Sequence, residues 1–216
     1  MARSKKLNEQ EIITLFDRLS KVNPNPQTEL NYTNPFTLVV AVALSAQATD
    51  VGVNKATKAL FDKVDTPRAM VKLGETKLIE HIRTIGLYRN KAKNVIALSQ
   101  KLINEFDGEV PKTRSELESL PGVGRKTANV VLNVAFGVPT IAVDTHIFRV
   151  SNRTGLAPGK DVLAVELELE KRVPEQYFMH AHHWLILHGR YICKARKPNC
   201  VRCDVADVCR FDEKVV

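Results

Sequence analysis

From Ile12 to Leu187 the apolar residues recur at helical spacing almost without interruption, and that periodicity excludes most fold classes before any motif is considered. Ile12, Phe16 and Leu19 follow Asn8, with Glu11 placed as the partner in a capping box. Asn34-Pro35 supplies an N-cap and a first-turn proline ahead of FTLVVAVALSAQATD. Further helices are predicted near 54–64, 75–84 and 88–106, and Thr113 with Glu116 caps a short one ending near Leu120. Others are predicted over 126–136, 145–154, 161–173 and 175–187, and VPTIAV at 138–143 is the single rival strand. The fold is therefore expected to be all-α with short connections and no dividing linker. The longest apolar stretch, Phe36 to Leu44, is too short to cross a bilayer and reads as a buried helix. No apolar run follows the basic residues of MARSKKLNEQ, so no secretory signal is expected.

Charge and cysteine placement narrow the function. Lys and Arg number 32 against 24 acids, a net +8 that draws the chain to polyanions: nucleic acid first, an anionic membrane second. All four cysteines lie in the last 24 residues, as C-x6-C-x2-C-x5-C at Cys193, Cys200, Cys203 and Cys209. A disulfide framework would be spread along the chain, so clustering points to metal. Four thiolates suit tetrahedral zinc or a [4Fe–4S] cluster, although only Cys200 and Cys203 form the close pair usual for zinc. The loop KARKPN between the first two cysteines puts Lys194, Arg196 and Lys197 where they could line a phosphate track or simply face water. The histidines of HAHHWLILHG show no i, i+4 pair, which favours packing and hydrogen bonding within a helix over a metal site.

The most informative stretch is LPGVGRKTA, residues 120–128. Pro121 stops one helix, Gly122 and Gly124 are expected to take backbone angles other residues resist, and a new helix starts at once. Such a turn either just closes a corner or aims helix N-terminal N–H groups, with Arg125, at a phosphate oxygen. A phosphate contact positions DNA without reading sequence. IRTIGLYRNKAKNV echoes the same helix, glycine turn, basic helix pattern, and an ordinary helix hairpin is the default for it.

LPGVGRKTANVVLNVAFG, then IAVDTHIFRV, then the cysteine cluster, closely resembles the endonuclease III family of DNA glycosylases, with the likeness running from SAQATD to Cys209. The resemblance implies a helix-hairpin-helix DNA glycosylase fold with two helical lobes and a DNA-binding cleft. One lobe would be a helical barrel over 24–136 containing the hairpin at about 113–136. The other would join 1–23 to 137–216 and carry the cluster segment 193–209. By the family pattern Lys126 is the nucleophile and Asp144 helps generate it and stabilises positive charge at C1′; Gln47 and Leu87 fill the gap left by an extruded base. The spacing of the four cysteines matches the family's [4Fe–4S] motif. The implied substrate is duplex DNA with oxidised or ring-saturated pyrimidines, or abasic sites; a monomer in the bacterial cytoplasm, associated with the nucleoid through DNA, is expected.

The chemistry fits those residue types. An amine attacking C1′ must be neutral, and a helix N-terminus and adjacent Arg125 both disfavour the ammonium form of Lys126. A carboxylate faces an oxocarbenium-like centre well, though Asp144 is equally placed to cap a helix. Adenine-mismatch glycosylases share these motifs but lack a lysine at this position and carry a further C-terminal domain, whereas this chain stops seven residues after Cys209. A non-catalytic DNA-binding module has no need of Lys126 or Asp144, and an electron carrier none of the hairpin.

Overall fold

The computed structural model describes residues 6–214, and these are helical throughout, with no strand among them. Eleven α-helices follow in order: α1 Glu9–Val22, α2 Pro35–Ser45, α3 Asp50–Phe61, α4 Pro67–Leu73, α5 Glu75–Ile82, α6 Tyr88–Glu105, α7 Arg114–Glu118, α8 Arg125–Phe136, α9 Thr145–Thr154, α10 Val162–Arg172 and α11 Glu175–Tyr191. A 3-10 turn covers Cys200–Arg202. The all-α expectation holds, and residues 138–143 form no strand. They run as an irregular connector whose Ile141 and Val143 are buried. No helix among the described residues is long and apolar enough to cross a membrane.

Local chemistry sets most boundaries. Asn8 caps α1 with the expected capping box: Glu11 N–H donates to its side chain and the Glu11 carboxylate takes the Asn8 N–H, both at 2.9 Å. Asn34 caps α2 the same way with Thr37. At α7 only half of the box forms. The Glu116 N–H donates to Thr113, but the Glu116 carboxylate takes the Thr113 hydroxyl at 2.5 Å, not its backbone N–H. α3 begins four residues earlier than the periodicity placed it, because Thr49 accepts from Gly52 N–H and opens the helix at Asp50. α4, absent from the periodic pattern, starts where Thr66 caps and Pro67 takes the first turn. α11 continues past Leu187 to Tyr191.

The chain divides into two compact units. Thr28–Val138 form one; residues up to Gln27 and from Pro139 form the other. In the first, α2 is buried along nearly its whole length and packs against α3, α6 and α8. With its long apolar run it serves as the hydrophobic axis of that unit. In the second, α11 packs against α9 and α1. Phe16, Tyr177 and Trp184 meet in its core, Phe16 and Tyr177 stacked at 5.4 Å, and the Trp184 indole donates to Asn23 O at 2.8 Å.

Candidate nucleic-acid and metal-binding residues

Within the 28–138 unit, the hairpin joins α7 to α8 through a turn closed by Val123 N–H donating to Leu120 O at 3.0 Å. Pro121 and Gly122 occupy its central positions, and Gly122 has φ +78°, the pattern of a type II turn. A Cβ on Gly122 would also lie 2.9 Å from the Asn94 Cβ, so glycine is required twice over. Gly124 corrects the sequence reading. Its φ of −100° and ψ of 179° are ordinary extended angles, and a Cβ there would meet nothing within 4 Å. What Gly124 contributes is open space in front of a helix start that has no side-chain cap. Lys126 follows in the first turn of α8, exposed, with no partner among the described residues.

These facts separate the two glycines experimentally. Gly122→Val is expected to cost about 1–3 kcal/mol from the left-handed backbone and the Asn94 clash. Gly124→Val should leave the melting temperature unchanged. It should weaken binding to damaged and undamaged duplex alike, because it fills the approach to the backbone N–H groups. A Gly124→Val protein that binds duplex normally while melting early would reverse this assignment.

The other hairpin-like segment has a different turn. Between α5 and α6 the left-handed residue is Leu87, at φ +58°, and not the glycine before it. Leu87 is 58 % exposed, and an exposed leucine held in that conformation is a strained display of an apolar side chain. Gln47, also exposed, is left-handed too at φ +54°. The two loops are neighbours: a Cβ on Gly86 would lie 3.8 Å from Gln47 O.

In the other unit Asp144 is the N-cap of α9. One oxygen, Oδ1, accepts from His146 N–H at 2.8 Å and Ile147 N–H at 2.9 Å. Oδ2 has no partner among the described residues, and the side chain is half-buried. Capping therefore occupies half of the carboxylate and leaves the other oxygen available.

The four cysteines are not in disulfides, and all four line one open-sided pocket with Thr154, His188 and Phe211. Burial pushes the Cys203 thiol up to about 11 and the Cys209 thiol upward, and the charge of the neighbouring thiols acts in the same direction. Four bare thiolates would thus be unfavourable here, and a cationic core would reverse that balance. Among the described residues no three His, Cys, Asp or Glu side chains converge on a single ion.

Two arginines on α9 that the sequence reading missed fasten this segment. Arg149 Nε donates to Cys193 O at 2.9 Å. Arg153 donates to Lys194 O at 2.7 Å and Ala195 O at 2.8 Å, and stands 3.8 Å from the Cys193 sulfur with its guanidinium over the Phe211 ring. Lys194, Arg196 and Lys197 project from the loop, exposed. The histidines of α11 are packed, as expected, and His188 Nε2 lies 3.7 Å from the Cys203 sulfur. Burial lowers His188 to about 4 and, with the charge of His180, lowers His183 to about 4. Hydrogen bonding is less complete than expected, since neither ring nitrogen of His183 has a partner among the described residues.

Residues 40–175 match the HhH-GPD superfamily of base excision DNA repair proteins, and the chain belongs to it. Over 209 residues the chain is 57% identical to Endonuclease III of Haemophilus influenzae (strain ATCC 51907 / DSM 11121 / KW20 / Rd) and 56% identical to that of Escherichia coli (strain K12), covering 97% of this chain and 99% of each relative. A solved structure of a trapped endonuclease III–DNA covalent intermediate, an estranged-adenine complex, superposes with a TM-score of 0.88 at 50% identity, covering 94% of this chain and 96% of that one. This protein is a member of the endonuclease III family of DNA glycosylases and abasic-site lyases, an enzyme of base excision repair.

Proposed function

We propose that the enzyme removes oxidised or ring-saturated pyrimidines from duplex DNA and cleaves the resulting abasic site through a Schiff base on Lys126. The observation that carries this reading is an exposed lysine, without a partner among the described residues, in the first turn of α8, directly after a phosphate-type hairpin. Its neutral amine attacks C1′, and the glycosidic bond breaks with its electrons leaving on the base. The nitrogen lone pair then expels O4′, which takes up a proton as the sugar ring opens to the protonated imine; this makes the C2′ proton acidic, that proton is lost and the 3′ phosphate departs by β-elimination. Water then hydrolyses the imine and frees Lys126. The Asp144 carboxylate, with Oδ2 uncommitted, aids formation of the free amine and offsets positive charge at C1′.

Gln47 and Leu87 suit the task of occupying a vacated base position, being exposed, adjacent in their loops and held in strained conformations. Gly122, Gly124 and Arg125, with Lys194, Arg196 and Lys197, contact the phosphate backbone in this reading. The two compact units act as the two lobes of the glycosylase. The enzyme works as a monomer in the bacterial cytoplasm, at the nucleoid. The capture of a related endonuclease III on DNA as a trapped covalent intermediate supports the Schiff-base route. The test is a panel of duplexes with one defined lesion each: excision followed by strand cleavage is expected at saturated pyrimidines. Activity confined to mismatched adenine or alkylated purines would replace the substrate assignment.

Cys193, Cys200, Cys203 and Cys209 would hold a [4Fe–4S] cluster: all four are free of disulfides and line one pocket, the thiol-only donor set that such a cluster takes. With every iron held by cysteine such a cluster supplies structure and no open site for substrate. Purified protein should contain about four irons per chain and absorb broadly in the visible. Stoichiometric zinc without iron after anaerobic purification would overturn the cluster.

A further inference from the structure

Helix α1 carries none of the residues proposed for DNA contact or for catalysis, yet two of its side chains fasten the stretch from Cys203 to Arg210. Arg18 closes on it as a fork, its Nη1 and Nη2 each donating to one oxygen of the Asp207 carboxylate, the second at 3.1 Å. Nη1 also donates to Asp204 O at 2.8 Å. The Glu11 carboxylate, which takes Asn8 N–H at 2.9 Å to close the capping box, also pairs with Arg210, the residue after Cys209. That second pair is nearly out of water, with Arg210 only 8 % and Glu11 only 18 % exposed.

Apolar and backbone contacts anchor the same stretch. Val205 and Val208 belong to the buried core that holds Ile12, Leu15, Phe16 and Leu19 of α1. Ala206 N–H donates to Cys203 O, Cys209 N–H to Val205 O and Arg210 N–H to Thr154 O, each at 3.1 Å. None of these contacts involves a sulfur atom, so they are independent of what the thiols bind. The other half of the segment differs. Arg149 and Arg153 donate to carbonyls of Cys193, Lys194 and Ala195, but no residue of 194–202 is buried, and Cys200 stands among them.

We infer that α1 is a latch that keeps Cys203 and Cys209 in place as a metal-independent half-site, with Glu11, Arg18, Asp207 and Arg210 as positioning residues that set how long the metal group is retained. This rests on the reading of the four cysteines as ligands of one group. A thiolate that cannot swing away stays at high effective concentration, so a broken bond to metal re-forms before a competing chelator or oxidant intervenes. The two ion pairs contribute unequally. Arg18 and Asp207 are half-exposed and mainly fix geometry, whereas removing one partner of Glu11 and Arg210 leaves the other charge nearly buried and uncompensated.

Retention is read in the purified holoenzyme as the rate at which visible absorption bleaches under excess iron chelator in air. Glu11→Gln keeps an acceptor for the Asn8 cap and removes the charge opposite Arg210; it should bleach roughly a hundredfold faster than the parent. Arg18→Met should bleach about fivefold faster, and adding Asp207→Asn to it should accelerate the loss no further. Before bleaching, each variant should trap an abasic-site duplex at the parent rate. Parent-rate bleaching in both Glu11→Gln and Arg18→Met overturns the latch. Slow trapping with full iron content would place these residues in DNA binding and overturn it too. The parent sequence gives a second reading that needs no variant. In the full chain stripped of metal, hydrogen exchange should leave the amides of Ala206, Cys209 and Arg210 protected while residues 196–202 exchange freely. Equal loss of protection in both halves overturns the half-site. A parent protein purified without iron would sink the cluster reading alone, and the exchange pattern would still decide the latch.

Discussion

Lys126→Gln is expected to bind an abasic-site duplex nearly as well as the parent enzyme and to form no borohydride-trapped adduct with it. The first half follows from position. Lys126 is exposed and has no partner among the described residues, so its replacement should change stability by less than about 0.5 kcal/mol. In binding, one cation among a net +8 is lost, which lowers the salt dependence by about one counterion. The second half follows from chemistry. An imine needs a primary amine on C1′, borohydride fixes that imine as a stable secondary amine, and glutamine can form neither. Peptide mapping of the parent adduct should place the sugar on Lys126, and strand cleavage should disappear with trapping. Undiminished trapping in Lys126→Gln through another amine would show that the hairpin lysine only contacts phosphate.

The helices were legible wherever a cap and a period coincided. Asn8, Asn34 and Thr113 mark their helices by side-chain chemistry that acts over three residues, a range a sequence displays directly. α4 escaped although Thr66-Pro67 is a proper start, because its seven residues are too few to show a period. The two glycines of the hairpin look alike in the sequence. Only the backbone separates Gly122, which needs a left-handed angle and room beside Asn94, from Gly124, which needs neither.

Chemistry was less legible than fold. Its place in the first turn after the hairpin suits Lys126 to phosphate contact as well as to catalysis, and the resemblance is what assigns it the reaction. Arg149 and Arg153 were not found. In sequence they read as the polar face of α9, and their partners, about 40 residues away around Cys193, come near only through the packing of α9 on α11. Leu87 and Gln47 are named by the resemblance, but their left-handed backbones carry no residue-type signature because leucine and glutamine are unusual there.

Asp144→Asn separates capping from catalysis, since the two roles use different properties of one side chain. Capping needs an acceptor oxygen at Oδ1 for His146 and Ile147 N–H, and asparagine caps as well as aspartate. The only structural loss is the charge at the start of α9, worth about 0.3–1 kcal/mol, or a few degrees in melting temperature. Catalysis needs the negative charge, which matters chiefly as C1′ becomes cationic. Asp144→Asn should therefore keep its α-helical circular dichroism and duplex affinity while base release slows by roughly 10²–10³-fold. Asp144→Ala should show the same rate loss with an added destabilisation of about 1 kcal/mol, as the cap is lost too. The decisive comparison is the rate of base release in the two variants under single turnover. If Asp144→Asn releases base at the parent rate and only Asp144→Ala is slow, the residue acts on the reaction solely by holding the first turn of α9 in place.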